Sequence, residues 1–281
     1  MNVERFYNKI RLFPLLFKVC LSLGLLSLAL FIVASIRRRR YARWETVFYG
    51  LLIVTFLTDT FGIALRTCIS GRIPLSNSYE TMLALSWLSL LTGFLARKYS
   101  LLTVVFGFLL AGFSLLTAHI GSMNPQMTPL MPVLQSPLLN IHVLVIMASY
   151  GLCGFMALNS LTAWTIWIFG KKGEKKQTYL LRMKELSELF MYPAAFLMGT
   201  GIFIGAVWAN LSWGRYWGWD PKEVWALITF LLMSFTFHGQ TLKWLQRPVV
   251  YHSFVVLIFL SVLMTYFGVN YILGGRHSYA G

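Results

Sequence analysis

Charge is scarce in this sequence: 12% of its 281 residues are Asp, Glu, Lys or Arg, against about 25% in soluble domains. Acid is scarcer still, with 9 Asp and Glu beside 24 Lys and Arg. No soluble fold of this size could cover 57% hydrophobic residues with so little polar surface. Cysteine is limited to Cys20, Cys68 and Cys153, and no C-x-x-C or C-x-x-C-H occurs. That excludes a thioredoxin-like redox pair, a paired-cysteine zinc site and haem attached covalently to this chain. Each cysteine reads as a small buried hydrophobe. Internal repeats and low-complexity tracts are also missing. So is a secretory signal: the first apolar stretch, Phe13 to Ile36, is too long for one and lacks a small-residue cleavage site, so it reads as a retained helix.

What is present is hydrophobicity in blocks of about 20 residues, the length that spans a hydrocarbon core of roughly 30 Å. The blocks run approximately 13–36, 46–67, 79–96, 100–119, 141–169, 189–209, 222–244 and 249–273. The expected fold is an all-α polytopic membrane protein, a bundle of about eight transmembrane helices. A net charge of +15 invites a nucleic-acid reading, but the basic residues cluster at block ends, as topology signals do. No nucleic-acid partner is expected. Placing Arg37–Arg40 with Arg43, Arg97-Lys98, Lys171 to Lys184 and Lys243 to Arg247 in the cytoplasm puts fifteen basic residues inside and eight outside. Both termini then lie on the extracytoplasmic side, although Arg5, Lys9 and Arg11 run against this for the first span. The segments Ser70–Tyr79, Gly121–Asn140, Asn210–Lys222 and Gly274–Gly281 fall outside, which makes that the working face. Asp220-Pro221-Lys222-Glu223 carries the marks of a helix start: cap, proline and a Glu at the third position. Asn77-Ser78-Tyr79-Glu80 offers a similar cap.

Five of the ten tryptophans lie between Trp208 and Trp225: Trp208, Trp213, Trp217, Trp219 and Trp225. Tryptophan gathers at membrane interfaces, and that accounts well for Trp208 and Trp225. The run Trp213-Gly-Arg-Tyr-Trp-Gly-Trp-Asp-Pro is less easily explained so. Gly214 and Gly218 leave room between flat rings, while Arg215 and Lys222 supply cations. A planar apolar macrocycle bearing carboxylates would suit such a surface. From composition, an anchoring loop and a cofactor platform both remain open.

The run from Trp213 through Trp225-Ala-Leu-Ile-Thr resembles the signature of the haem-handling WWD proteins. Within that family, Gly71-Arg-Ile-Pro-Leu-Ser-Asn-Ser-Tyr-Glu, Ile141-His-Val and Gly268-Val-Asn-Tyr-Ile-Leu-Gly-Gly-Arg-His-Ser-Tyr resemble the CcsA (ResC) branch of the system II cytochrome c synthase. Trp225-Ala-Leu-Ile-Thr-Phe followed by His238 fits the same branch. The similarity covers roughly residues 45–281. It suggests an N-terminal helix and basic turn over 1–40, followed by a haem-handling domain over 41–281 with the tryptophan loop at 208–225.

The resemblance assigns roles to histidines that sequence position alone only suggests. Imidazole is a common axial ligand of haem iron, and His142 and His277 both fall on the expected outer face. The family makes them the two external axial ligands. His238, 17 residues beyond Pro221, becomes a transmembrane haem ligand; an ionisable residue in hydrocarbon is a functional candidate by default. Trp213, Tyr216, Trp217, Trp219 and Asp220 would form the haem platform, with Arg215 and Lys222 facing the propionates. His119 and His252 read as interfacial hydrogen-bonders, His252 being an alternative local ligand. Asp59, in the middle of a span, requires a partner.

The implied cofactor is haem b, bound non-covalently as substrate. The implied partners are a CcsB (ResB)-type membrane protein, apocytochrome c and a component of a thiol-reducing pathway. The expected activity is thioether attachment of haem to a C-x-x-C-H segment, as a subunit of a holocytochrome c synthase. The alternative is a haem carrier that hands haem on without that chemistry. The expected location is a bacterial plasma membrane rather than a thylakoid. No catalytic acid or base is evident in the sequence.

Overall fold

In lipid, a long apolar chain satisfies its backbone only as a helix or a closed barrel, and the described part of this chain is mostly helix, joined by short turns and loops. The computed structural model describes residues 2–37, 42–121, 123, 126–127, 135–170 and 173–273. Arg38 to Arg40, most of the 121–140 connection, Lys171, Lys172, Arg276 and His277 lie outside the described residues. The helices are α1 (Asn2–Ile10), α2 (Leu12–Arg37), α3 (Ala42–Ser70), α4 (Ser78–Ala96) and α5 (Leu102–Ile120). They continue with α6 (Pro137–Phe169), α7 (Glu174–Trp213), α8 (Pro221–Thr236) and α9 (Pro248–Leu263), which runs on as a π-helical segment, Met264–Leu273. No strand occurs among the described residues.

Seven helical stretches are long and apolar enough to cross a membrane, α1 and α2 together supplying the first. The seventh apolar block, 222–244, forms α8, whose 16 residues reach only about 24 Å at 1.5 Å per residue. It stops at Thr236 rather than near residue 244. Beyond it Phe237–Thr241 turn, and a 3-10 turn follows at Lys243–Gln246. The 171–184 connection also differs from expectation, since α7 already begins at Glu174. Residues 174–188 are rich in Glu, Lys, Leu, Met and Arg, all good helix formers, and Lys184 pairs with Glu188 one turn on. Charge there marks a protruding helix end instead of a loop.

The chain divides into two compact units, Met1–Leu130 and Met131–Gly281. In the first, α3 and α4 run antiparallel, joined by polar bonds at successive levels. Ser86 Oγ donates to Asp59 Oδ2 (2.7 Å), Trp87 Nε1 to Thr60 Oγ1 (2.8 Å) and Arg66 Nη2 to Glu80 Oε1 (2.9 Å). Asp59 thus gains one partner, while its other carboxylate oxygen, Oδ1, is buried without one. The Asn77 side chain caps α4 by accepting from the Glu80 N–H. Glu80 itself also accepts from Arg72 Nη1 and from the Ser76 N–H, which ties the 70–77 turn onto the helix start. His119 stacks on Phe17.

In the second unit, α6 and α7 form an antiparallel pair whose register can be followed along its length. Asn159 donates to Met183 O, Ser149 to Ala194 O, and His142 meets Gly201. α9 packs antiparallel to both α6, through Ser160 and His252 (2.9 Å), and α8, through Thr229 and Ser261 (2.9 Å). Apolar side chains point outward: Tyr192, Phe196, Phe203, Val207 and Leu211 form one exposed face of α7. Ser149, Asn159, Ser160, Ser187 and Thr229 lie buried between helices. An apolar exterior around hydrogen-bonded interior hydroxyls and amides is the arrangement lipid favours.

Candidate functional site

One end of the second unit collects the start of α6, the end of α7, the start of α8 and the end of the π-helical segment. There α7 closes on Gly214, whose left-handed φ of 73° lets its N–H bond Asn210 O. Trp208 and Trp213 meet edge to face, with centroids 4.9 Å apart. Trp217 and Trp219 do the same at 6.0 Å. Gly218 gives its side-chain space to Arg215, whose guanidinium lies where a Cβ would be. Trp219 takes a φ of +58°, which is uncommon for a bulky residue, and its ring is 74% exposed. Tyr216 is exposed beside it. The loop therefore presents two aromatic rings outward and keeps its other aromatics packed.

A capping box holds this conformation. Asp220 accepts from the Lys222 N–H (3.0 Å). Glu223 reaches back to accept from Gly218 (2.8 Å) and Asp220 (3.1 Å). Asp220 is buried and serves as the cap; Glu223, which composition marks only as a helix-start residue, is the clasp that fixes the backbone between the tryptophans. Lys222 Nζ donates to Asn270 Oδ1 (2.8 Å), so the loop is tied to the last turns of the chain's described part. Lys222 lies outside the seven spanning helices, and burial pulls its ammonium down to about 8, against the opposing field of Asp220.

His142 enters the same end from α6. Its Nδ1 lies 2.7 Å from the Gly201 carbonyl on α7. A carbonyl oxygen can only accept, so Nδ1 carries the proton and Nε2 carries the ring's lone pair. The ring also fills space left by Gly205, where a Cβ would come within 2.6 Å of Cε1 and 2.8 Å of Nδ1. Gly201 and Gly205 were not legible as site residues, because their role depends on the register between two helices.

The remaining candidates separate. His238 sits at the opposite end of the unit, exposed in the turn after α8, its Nδ1 bonded to Ser234 O (3.0 Å). His252 is wholly buried near that end against Ser160. The structure thus places His142 on the tryptophan-loop side of the second unit, level with Gly201 and twelve residues before Trp213 on α7, while His238 lies beyond the other end of α8.

The sequence pattern of the family described as "Cytochrome C assembly protein" matches residues 75–277. The chain is 36% identical over 284 residues to Protein NrfI of Wolinella succinogenes, an alignment that takes in all of this chain and 31% of that protein. It is 32% identical over 259 residues to the cytochrome c biogenesis protein CcsA of Guillardia theta, covering 82% of this chain and 84% of that one. CcsA of Helianthus annuus is 32% identical over 275 residues, covering 81% and 84%. The chain thus spans about a third of the NrfI length and most of the CcsA length. With the family's pattern running over most of the sequence, including the tryptophan loop and its capping box, this chain belongs to the cytochrome C assembly protein family.

Proposed function

We propose that this chain works in cytochrome c biogenesis by holding haem at the tryptophan-loop end of its second unit, on the extracytoplasmic face. The observation that carries the reading is that a histidine with its Nδ1 proton committed to Gly201, outward-facing Trp219 and Tyr216, and two cations all lie in one half of the second unit. His142 and His277 ligate the iron from opposite sides. His277 lies four residues past Leu273, within about 14 Å of chain, and the Lys222–Asn270 bond holds the π-helical segment that leads to Leu273 beside the loop.

The substrate is haem b. Arg215 and Lys222 meet its propionates, and exposed aromatic rings support the macrocycle. Each thiol of an incoming C-x-x-C-H segment adds across a vinyl group. Sulfur bonds one vinyl carbon, the thiol hydrogen ends on the other, and no net oxidation occurs. The apocytochrome histidine replaces one of the two protein ligands. The chain contributes orientation and ligation, while the reactivity belongs to haem and thiol. His238, at the other end, is an earlier station shared with a CcsB-type partner.

Coexpression with such a partner and a C-x-x-C-H reporter tests this. The expected result is reporter that retains haem after denaturation, together with a Soret band in the purified complex. A Soret band with no covalent product would favour the carrier reading. No Soret band with haem in supply would leave only an anchoring loop.

Lys222 adds a pH dependence of known sign. Its charged form attracts a propionate, and its pKa without haem is about 8. Haem raises that pKa, so affinity is full below pH 8 and falls as pH rises from there toward the raised value. Titration of haem binding should show this decline, and Lys222→Met should flatten it.

A further inference from the structure

We propose that Gly201 and Gly205 are positioning residues for His142, a role that rests on the ligand reading above. The Gly201 carbonyl takes the Nδ1 proton, and the missing side chain of Gly205 provides the berth in which the ring lies.

Two observations meet on this one ring, and a third concerns the helix pair that holds it. The hydrogen bond at 2.7 Å is short for a nitrogen donor, and its acceptor permits one neutral tautomer only. A Cβ at 205 would approach the Cε1–Nδ1 edge at 2.6 and 2.8 Å and Nε2 at 3.4 Å, so Gly205 lies against the Cε1–Nδ1 edge, with the coordinating nitrogen the farther of the two ring nitrogens. The same helix face carries Gly201, where a Cβ would meet Ile146 Cδ1 at 2.5 Å. Small residues four apart let α6 and α7 approach closely, and here the closeness brings a backbone carbonyl within reach of an imidazole. Helix carbonyls are ordinarily committed along their own helix; this one takes a second donor from its neighbour. A carbonyl on the far nitrogen fixes the plane of a ligating imidazole and raises its basicity, and loss of such a partner typically costs 10–100-fold in metal affinity.

Two experiments test the inference with the full chain and its partner. In the first, Gly205→Ala displaces the ring. Haem affinity is expected to fall roughly 10–100-fold, with the ferric spectrum turning from low spin toward high spin. Gly199→Ala is the matched control: its Cβ would meet Phe230 of α8 at 3.1 Å and not His142, and its spectrum should stay that of the wild type.

The second experiment leaves the glycines untouched and so does not depend on folding of the Ala variant. In His142→Gly, added imidazole can ligate iron with one nitrogen and donate its N–H to Gly201. 1-Methylimidazole ligates equally but has no such proton. Imidazole is expected to restore the low-spin spectrum at roughly a tenth of the concentration needed for 1-methylimidazole. Equal rescue by the two, or a wild-type spectrum in Gly205→Ala, overturns the positioning role while leaving His142 as a ligand. A His142→Gly spectrum identical to wild type overturns the ligand reading itself.

Discussion

Replacing both His142 and His277 by alanine is expected to strip haem from the outer end of the second unit. Haem retained on purification should fall by more than about tenfold, since aromatic contacts remain but both axial bonds are lost. Maturation of the C-x-x-C-H reporter should fall with it. Added imidazole should return the Soret band, because the capping box and the α6–α7 bonds at Ser149 and Asn159 do not involve His142. Restoration would assign the defect to ligation. Full haem content in the double variant would mean that the iron is held elsewhere. His238→Ala, at the far end of α8, should leave the outer low-spin spectrum intact once haem is loaded.

The second large effect belongs to the first unit. Arg66 and Glu80 form an ion pair with both side chains 0% exposed. The guanidinium also donates to Tyr7 (3.4 Å), and the other Glu80 oxygen holds Arg72 and the Ser76 N–H. Removing one charge leaves the other buried and uncompensated, which costs about 3–5 kcal/mol. Glu80→Gln should therefore lower the thermal midpoint in detergent by roughly 10 °C and reduce accumulation in the membrane. Joint replacement, Arg66→Met with Glu80→Leu, should recover part of the loss, because no fully buried charge is orphaned; Arg72, which also loses Glu80, is 21% exposed. Glu188→Gln is the contrasting case. Its pair with Lys184 is half exposed and spans one helical turn, a geometry worth about 0.3–0.5 kcal/mol. A Glu80→Gln shift no larger than that of Glu188→Gln would contradict the assignment.

The helices were legible because membrane spans are written as uninterrupted apolar length, which survives without knowledge of neighbours. Their ends were less so. The α7 start at Glu174 hides among charges that resemble a loop, and α8 stops at Thr236, before the polar run His238-Gly-Gln-Thr241 that interrupts the apolar block. The capping box at Asp220 and Glu223 was readable, since it needs only four consecutive residues; so was the Asn77 cap. Tertiary register was not. Gly201 and Gly205 look like any small residues on a membrane helix until α6 is laid beside α7. Lys222 reads as a free cation until Asn270, 48 residues on, is found at its ammonium. Arg66 reads as a topology charge, and only the fold shows it buried against Glu80.

The proposed haem site depends on one iron atom bridging residues 142 and 277, and the spin state of the ferric complex reads this most directly. Low-temperature electron paramagnetic resonance of the wild-type complex should give a low-spin, bis-imidazole signal. His142→Ala alone and His277→Ala alone should each convert it to high spin. A low-spin signal unchanged by either substitution would contradict the account.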